Sequence, residues 1–343
     1  MQQLAARFAP NLSRIKEFAL AGGVLLWAWL VWHTGPATLL ESLKHVGWGM
    51  IILVAIAAVR HAIRTVACQW AMGAERAGFS FLEMYAISLI SEAIKFLALA
   101  GIVFGESAKG VLLAQRVSAA RAVSSVVLDV VLYQFSAGLF FLAGAFWIMG
   151  SARLEPGVRS ALWITAGVMS AVLAVIAVGF ARRWRSTRKL VAKFGAAGSS
   201  SAPWKRWAAK HEEKIGQASE QVSDFYHHHA GLFYGILLFD LLAHSASAFE
   251  VQVALGMLGH PLGYGAAVAI EALTKLVRIS GAVVPANIGV FEGGTALILI
   301  AFGLSPAAGV ALGVVRQLRS LLWAAAGLLM LPLWPSLGRS PRN

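Results

Sequence analysis

The chain has 343 residues, of which 58% are hydrophobic and only 13% are charged. Soluble domains carry about 25% charged residues, and the mean hydropathy here is +0.71, so we exclude a single soluble core and expect a membrane protein. The net charge of +13 does not indicate nucleic acid, because ten of the 29 lysines and arginines lie within 182–214, as in a cytoplasmic loop of a membrane protein. We expect anionic lipid headgroups to bind this segment.

Six apolar segments predict membrane-spanning helices, because about 20 apolar residues cross a hydrocarbon core of roughly 30 Å. They are 18–33, 48–71, 119–149, 160–181, 231–256 and 305–333. Residues 1–17 precede the first segment without a signal-peptide cleavage motif, so we expect this N-terminus to be retained. Six crossings place the N-terminus and the tail at 336–343 on the same side of the membrane.

Two further apolar regions, 81–116 and 264–303, are interrupted by glycine, carboxylate or proline. The interruptions are GIVFGESAKG at 101–110 and VVPANIGVFEGG at 283–294. A single crossing by the first region would place the basic residues of 182–214 outside the cell, against the positive-inside rule. We therefore predict two membrane hairpins, the first entering from the cytoplasm and the second from outside. The sequence leaves open whether each is re-entrant or a pair of full helices.

The predicted fold class is thus an all-α polytopic membrane protein with both termini in the cytoplasm. Its first membrane half covers 18–181, its second covers 231–335, and a basic loop at 182–230 connects them. Within the loop, apolar residues spaced by three and four over 203–229 predict an amphipathic helix on the cytoplasmic leaflet. Three adjacent histidines, 227–229, end that helix, and neighbouring helical residues point in different directions, so we predict no metal site.

The two halves contain three pairs of similar segments in the same order. They are 61–73 with 244–256, 92–97 with 271–276, and 117–129 with 304–316. An odd number of predicted crossings separates the first pair, so the halves are expected to be inverted relative to each other. Inverted repeats with broken helices place a substrate site near the bilayer midplane. The alternative is an old duplication that serves structure alone.

Eight basic and seven acidic residues fall at or near membrane depth. They are Arg60, Arg64, Glu92, Lys95, Glu106, Lys109, Asp129, Asp240, Glu250, Glu271, Lys275, Arg278, Glu292, Arg316 and Arg319. Each costs several kcal/mol when it faces hydrocarbon, so we expect these side chains to face an interior or one another. For any single residue, the alternative is a structural salt bridge or a snorkelling end residue.

The interruption of the second hairpin has residues that suit an unwound turn followed by a helix. Pro285 is expected to end one helix, and Asn287 and Gly289 permit the turn. Backbone amides at the start of the next helix favour an anionic group. Glu292 lies close to the same helix start, so it is equally able to occupy that position itself.

Basic residues on both sides of this interruption are candidates for binding a headgroup. Lys275 follows Glu271 in the favourable i, i+4 order. Arg316 and Arg319 lie on one face of the last span, where they fit either a phosphate or buried carboxylates. We favour the phosphate. The sequence shows no catalytic motif and indicates no cofactor.

The second half resembles the lysylphosphatidylglycerol synthase transmembrane, or flippase-like, family, which includes hopanoid-associated HpnL-type proteins. The resemblance rests on IEALTKLVRISGAVVPANIGVFEGG at 270–294, a Gly-Leu-Ser-Pro turn at 303–306, and Arg316 with Arg319. It covers about residues 15–335. GESAKG at 105–110 is similar to the first-half counterpart, although the proline that often precedes it is absent.

The resemblance implies lipid handling in the bacterial inner membrane, through translocation of a polar or charged lipid between leaflets. Family members that synthesise lysyl lipid carry an additional soluble aminoacyl-transfer domain. This sequence shows none, so we expect no enzymatic activity. The sequence leaves the oligomeric state open, including a homo-oligomer.

We therefore predict that a phospholipid or other polar lipid places its headgroup in a cavity between the halves. The predicted binding residues are Lys275, Pro285, Asn287, Gly289, Glu292, Arg316, Arg319, Arg60 and Arg64. Structural or proton-coupling roles are predicted for Glu92, Lys95, Glu106, Glu250 and Glu271. Two alternatives stay open: an accessory subunit of lipid, hopanoid or envelope biosynthesis, with 203–229 as its docking surface, and a transporter of ions or small solutes.

Overall fold

The structure is a computed structural model that describes residues 37, 44, 46–98, 101–151, 156–181, 222–280, 285–287 and 289–337. Helices account for all regular secondary structure in these residues, and they contain no strand. Several predicted segments lie outside the described residues: 1–17, 18–33, 182–214, and most of 203–229 and 336–343.

The described residues form nine principal helices. They are α1 Gly49–Ala71, α2 Phe81–Leu97, α3 Gly101–Leu113, α4 Ala119–Ser151, α5 Pro156–Ala181, α6 Ala230–Met257, α7 Tyr264–Ser280, α8 Val290–Ala301 and α9 Pro306–Leu337. Short 3₁₀ helices occupy Gly73–Gly78 and Pro285–Asn287.

Five of these helices, α1, α4, α5, α6 and α9, are long and apolar enough to cross a membrane. They coincide with five of the six predicted spans, and the sixth, 18–33, lies outside the described residues. Large apolar side chains cover their outer surfaces, for example Ile164 on α5 and Leu329 on α9, which are 68% and 70% exposed. Such surfaces suit a hydrocarbon solvent, whereas water-soluble proteins rarely expose large continuous apolar patches.

Helices α1 and α6 pack along their whole length and run antiparallel. Gly49, at the start of α1, lies against Met257 at the end of α6. At the other end, Trp70 of α1 lies so close to Gly235 of α6 that a methyl group there would overlap the indole ring. These two helices contain the first pair of similar segments, so the paired segments have opposite directions.

The first predicted hairpin is a pair of antiparallel helices, α2 and α3, but its break is not at 101–110. That segment lies inside α3, and the chain turns just before it. Its glycines serve close packing: a methyl group at Gly101 would overlap the Lys95 carbonyl, and one at Gly105 would lie 2.7 Å from the Ser91 carbonyl oxygen. The prediction of a glycine-rich break was therefore wrong.

The second predicted hairpin is interrupted where the sequence indicates. Helix α7 ends at Ser280, before Pro285, and α8 starts at Val290. Between them Ala286, Asn287 and Gly289 have φ angles of 51°, 56° and 73°. Left-handed backbone at consecutive non-glycine residues is uncommon and costs energy, so the surrounding structure must hold this turn in place.

Each hairpin packs against the helix that follows the hairpin of the other half. Gly327 on α9 lies against the backbone of Leu89 on α2, and a methyl group at Gly327 would lie 2.8 Å from the Ala93 side chain. In the same way, a methyl group added at Gly144 on α4 would lie 2.6 Å from the Ala272 side chain on α7. The two halves are therefore interlocked.

The two hairpins open at opposite ends of the bundle. Arg116, just after α3, donates to the carbonyl of Gly78 at 3.2 Å, close to the end of α1. Phe302, just after α8, stacks on Trp147 near the end of α4, with ring centroids 6.4 Å apart. The turns of both hairpins consequently point towards the middle of the molecule.

Residues 222–228, the described part of the predicted amphipathic helix, are helical. Val222 is buried in an apolar cluster with Phe180 and Phe233, and Phe225 packs against it. The apolar side of this portion thus contacts helices α5 and α6. The ring Nδ1 of His228 lies 2.8 Å from the backbone carbonyl oxygen of Asp224.

Candidate functional site

The ionisable side chains in the middle of the bundle form two groups. The first ionic network consists of Arg64, Glu92, Lys95, Glu106, Lys109, Asp129 and Asp240. The second ionic network consists of Arg60, Glu250, Glu271, Lys275, Arg278, Arg316 and Arg319. Together they contain every residue that the sequence places at membrane depth except Glu292.

The first ionic network is a chain in which positive and negative groups alternate. Lys95 Nζ lies 2.7 Å from Glu92 and 2.8 Å from Glu106. Lys109 Nζ in turn lies 2.9 Å from Glu106 and 2.9 Å from Asp129. Because each lysine contacts two carboxylates, its charge is compensated within the network.

Arg64 continues this chain to the second half of the protein. Its guanidinium lies 3.0 Å from Asp129, pairs with Asp240 on α6, and stacks over the Tyr133 ring at 4.2 Å. The first ionic network therefore contains three cations and four carboxylates, and it joins α1, α2, α3, α4 and α6.

The second ionic network is organised by two arginines of α9 that contact buried carboxylates. Arg316 Nη2 lies 2.7 Å from Glu271 Oε2, and its Nε lies 3.5 Å from Glu250 Oε1. Arg319 also pairs with Glu250. The sequence left two roles open for these arginines, binding a phosphate or binding buried carboxylates. In the structure both arginines contact carboxylates.

Lys275 extends the second ionic network towards α4. Its Nζ lies 3.4 Å from Glu271 and 3.0 Å from His244 Nδ1. The other ring nitrogen of His244 is 3.2 Å from the Ser136 hydroxyl. A buried histidine that the sequence did not place in the site thus connects Lys275 to α4.

Positive charge exceeds negative charge in the second ionic network. Arg60 and Arg278 lie within electrostatic reach of each other and of Arg319, and the Arg278 guanidinium lies 4.2 Å from the centroid of the Phe291 ring. Among the described residues, four cations, Arg60, Lys275, Arg316 and Arg319, therefore share two carboxylates, Glu250 and Glu271. Among the described residues, Arg316 Nε and Nη1, Arg319 Nε and Arg60 Nε have no hydrogen-bond acceptor.

The turn of the second hairpin reaches the first hairpin beside these networks. Gln317 of α9 donates its side-chain amide to the carbonyl of Ala286 at 3.0 Å. Ala286 also packs with Leu97, the last residue of α2, and with Leu321 of α9. The ends of the two hairpins therefore meet, and α9 holds the strained turn.

Glu292 has a local role at the start of α8. Its Oε2 accepts a hydrogen bond from the backbone N–H of Gly289 at 2.7 Å. A carboxylate in the first helical turn also interacts favourably with the helix dipole. The sequence left two groups possible at this helix start, a bound anion or Glu292, and the structure has Glu292 there.

The networks differ in how far they are accessible from the surface of the protein. The side chains of Glu92 and Lys95 are 43% and 26% exposed, whereas Arg316 is 2% exposed. An open pocket of about 400 Å³ lies elsewhere, near the end of α1, and is lined in part by Glu75 and Arg121. We regard the ionic networks as the candidate site, because they contain the buried charge.

The structure separates the predicted binding residues into three places. Four of them, Arg60, Lys275, Arg316 and Arg319, lie together in the second ionic network. Arg64 lies in the first ionic network, and Pro285, Asn287, Gly289 and Glu292 form the turn and the start of α8. The predicted structural residues divide likewise, with Glu92, Lys95 and Glu106 in the first network and Glu250 and Glu271 in the second.

Several members of the networks were absent from the predicted site, although the sequence placed them at membrane depth. They are Lys109, Asp129, Asp240 and Arg278. Arg278 follows Lys275 by three residues on the same helix face, and this spacing was a usable signal. Arg64, which both Asp129 and Asp240 contact, is 65 and 176 residues away from them, so no local spacing indicates this contact.

The comparison with known families gives one match. The family described as lysylphosphatidylglycerol synthase TM region matches residues 16–327. No curated protein and no solved structure matches the chain. The match names no narrower group, so the relation to hopanoid-associated proteins stays a prediction.

Proposed function

The chain belongs to the lysylphosphatidylglycerol synthase TM region family, and on this basis we propose that it moves a polar or charged lipid between the two leaflets. The observation that carries the proposal is the pair of ionic networks buried among apolar helices. We further propose a bacterial inner-membrane location, cytoplasmic termini, and a function without cofactor or catalysis. A headgroup crosses through the polar interior, while the acyl chains stay in the surrounding lipid.

The depth of the networks supports this proposal. Arg60 lies eleven residues after the start of α1, and Arg316 lies ten residues after the start of α9. At a rise of 1.5 Å per residue, both are about 15 Å into their helices. That is about half the thickness of the hydrocarbon core, where a crossing headgroup needs polar partners most.

Recurring contacts support inverted halves. Gln69 donates its side-chain amide to the Phe79 carbonyl at 3.0 Å, and Gln252 donates to the Leu262 carbonyl at 3.2 Å. Donors and acceptors are both 183 residues apart in the sequence. Since α1 and α6 are antiparallel, the repeated units have opposite directions, as in transporters that alternate access by moving one half against the other.

The lengths of the hairpin helices favour re-entrant pairs. Helices α3 and α8 have 13 and 12 residues, which corresponds to about 20 Å or less. This is shorter than the hydrocarbon core of roughly 30 Å. We propose that the hairpins enter from opposite sides of the membrane, and that a headgroup gains access beside the exposed Glu92 and Lys95.

A leaflet-resolved assay in proteoliposomes tests the proposal. Fluorescent phospholipid in the inner leaflet becomes accessible to an external quencher when the protein moves it. We expect wild-type protein to accelerate this exposure, and Arg316→Ala and Glu292→Gln to reduce the rate. Arg159→Ala, at an exposed position of α5, is the control. Equal rates in empty liposomes and in liposomes with wild-type protein would contradict translocation.

The same variants separate the two alternatives from translocation. An accessory subunit would retain cellular function after Arg316→Ala but lose it when 203–229 is deleted. A transporter of ions or small solutes would move them into the same liposomes without changing the distribution of lipid between leaflets.

A further inference from the structure

The second ionic network concentrates positive charge at a place where few groups compensate it. Among the described residues, Lys275, Arg316 and Arg319 share Glu250 and Glu271, and both carboxylates already contact arginines. Arg60 lies within electrostatic reach of Arg319 and adds a further positive charge. Water cannot readily screen charges at this depth, so an excess of buried cations requires an anionic partner.

Unused hydrogen-bond donors lie within the same network. Arg316 is 2% exposed and Arg319 is 4% exposed. Arg316 Nη1 and Arg319 Nε have no hydrogen-bond acceptor among the residues that the structure describes. Guanidinium groups present several N–H donors in one plane, and this arrangement matches the oxygens of a phosphate.

The first ionic network has no excess of positive charge. It has more carboxylates than cations, and Lys95 and Lys109 each contact two carboxylates. A phosphate added there would meet four negative groups. The difference favours an anion site in the second ionic network and none in the first.

If the proposed translocation is correct, this charge distribution restricts the lipid. We infer that the lipid is net anionic, that its phosphate is not balanced by an amine, and that this phosphate binds to Arg60, Arg316 and Arg319. An aminoacylated lipid such as lysylphosphatidylglycerol brings additional ammonium charge. It requires free carboxylates in the site, and Glu250 and Glu271 are already engaged by arginines.

Binding to the full-length protein in detergent tests this inference without transport. The probes are short-chain phosphatidylglycerol, phosphatidylcholine and lysylphosphatidylglycerol, and affinity is measured by isothermal titration calorimetry. We expect phosphatidylglycerol to bind at least about tenfold more tightly than the other two, because the added positive charge opposes binding to a cationic site. Equal affinities for the three lipids would overturn the inference.

Variants then locate the site. Arg60→Gln removes a half-buried cation that has no carboxylate within ion-pair distance among the described residues, so the fold is expected to persist. We expect it to weaken phosphatidylglycerol binding by about fivefold or more, in line with the loss of one charged contact. Arg319→Lys, which keeps the charge but loses the planar donors, is expected to weaken binding similarly. Arg159→Gln is the control, and unchanged affinity in both site variants would refute this location.

Glycerol 3-phosphate distinguishes a lipid from a free phosphate. Weaker binding of glycerol 3-phosphate than of phosphatidylglycerol supports the lipid, whereas equal binding overturns the lipid part of the inference. Failure of the two proposals is distinguishable. Translocation of lipid without selective binding of phosphatidylglycerol contradicts only the inference, and selective binding without translocation contradicts only the proposed function.

Discussion

The two ionic networks lie side by side in the same membrane protein, yet they have opposite charge balances. In the first, Lys109 and Arg64 are each held between two carboxylates. In the second, four cations, Arg60, Lys275, Arg316 and Arg319, share Glu250 and Glu271 among the described residues. Under the proposals above, the first network serves structure and the second binds a ligand, and the comparison shows that this division follows from their charge balance.

One pair of matching positions contributes to the difference in charge. The similar segments 117–129 and 304–316 end in Asp129 and Arg316, respectively. Asp129 compensates two cations of the first network, whereas Arg316 supplies a cation to the second. A carboxylate at one position and a guanidinium at its counterpart thus account for two units of the charge difference between the networks.

The largest expected effect is on the first ionic network. Asp129→Ala leaves Arg64 and Lys109 buried with less compensation, and breaking a buried pair costs about 3–5 kcal/mol. We expect a large fall in the melting temperature of the detergent-purified protein, measured by intrinsic fluorescence. Asp224→Ala, the same change at an exposed position, is the control. A melting temperature equal to that of the control would show that the first network is not structural.

A double substitution sharpens the comparison in the second network. Arg319→Gln leaves Glu250 with less compensation, so we expect a loss of about 3 kcal/mol in the free energy of unfolding. Adding Glu250→Gln removes the unpaired charge and is expected to restore most of that stability. Binding of phosphatidylglycerol is expected to stay weak in the double variant. Recovery of binding together with stability would indicate that the cation is not needed for the lipid.

A smaller effect is expected in the first hairpin. Gly105→Ala places a methyl group 2.7 Å from the Ser91 carbonyl oxygen, and such overpacking costs about 1–3 kcal/mol. Gly110→Ala in the same helix meets only Val126 at 4.0 Å, so we expect no loss of stability. Thermal unfolding of both variants checks this, and equal stability would mean that α2 and α3 can separate without cost.

The smallest expected effect concerns a side-chain hydrogen bond that occurs in both halves. Gln69→Ala and Gln252→Ala each remove one side-chain hydrogen bond to a backbone carbonyl. Each loss is expected to cost about 1 kcal/mol. We expect the two changes in melting temperature to agree, because the contacts are equivalent. A large difference between them would count against equivalent roles for these glutamines.

The elements that the sequence predicted well are those with a local signal. Long apolar segments predicted α1, α4, α5, α6 and α9, because only a sustained apolar run of that length suits a membrane span. Proline, asparagine and glycine near 285–289 predicted the unwound turn, because these residues tolerate conformations that helices exclude.

The elements that the sequence predicted poorly depend on contacts between distant residues. Gly101 and Gly105 resemble helix breakers, but they allow α3 to approach Lys95 and Ser91 of α2 closely. In the sequence, a glycine that breaks a helix cannot be distinguished from a glycine that allows two helices to pack closely. Likewise, the sequence showed that charges at membrane depth need partners, but it did not show that they segregate into two networks of unequal charge.

The interlocked hairpins have a consequence for biogenesis. Leu89 and Ala93 of α2 are covered by Gly327 of α9, and α9 is translated more than 200 residues after α2. The first hairpin therefore reaches these neighbours only after α9 has been synthesised. Until then the insertion machinery must shelter an incomplete helix pair, and a nascent chain arrested before α9 should be a substrate for membrane proteases.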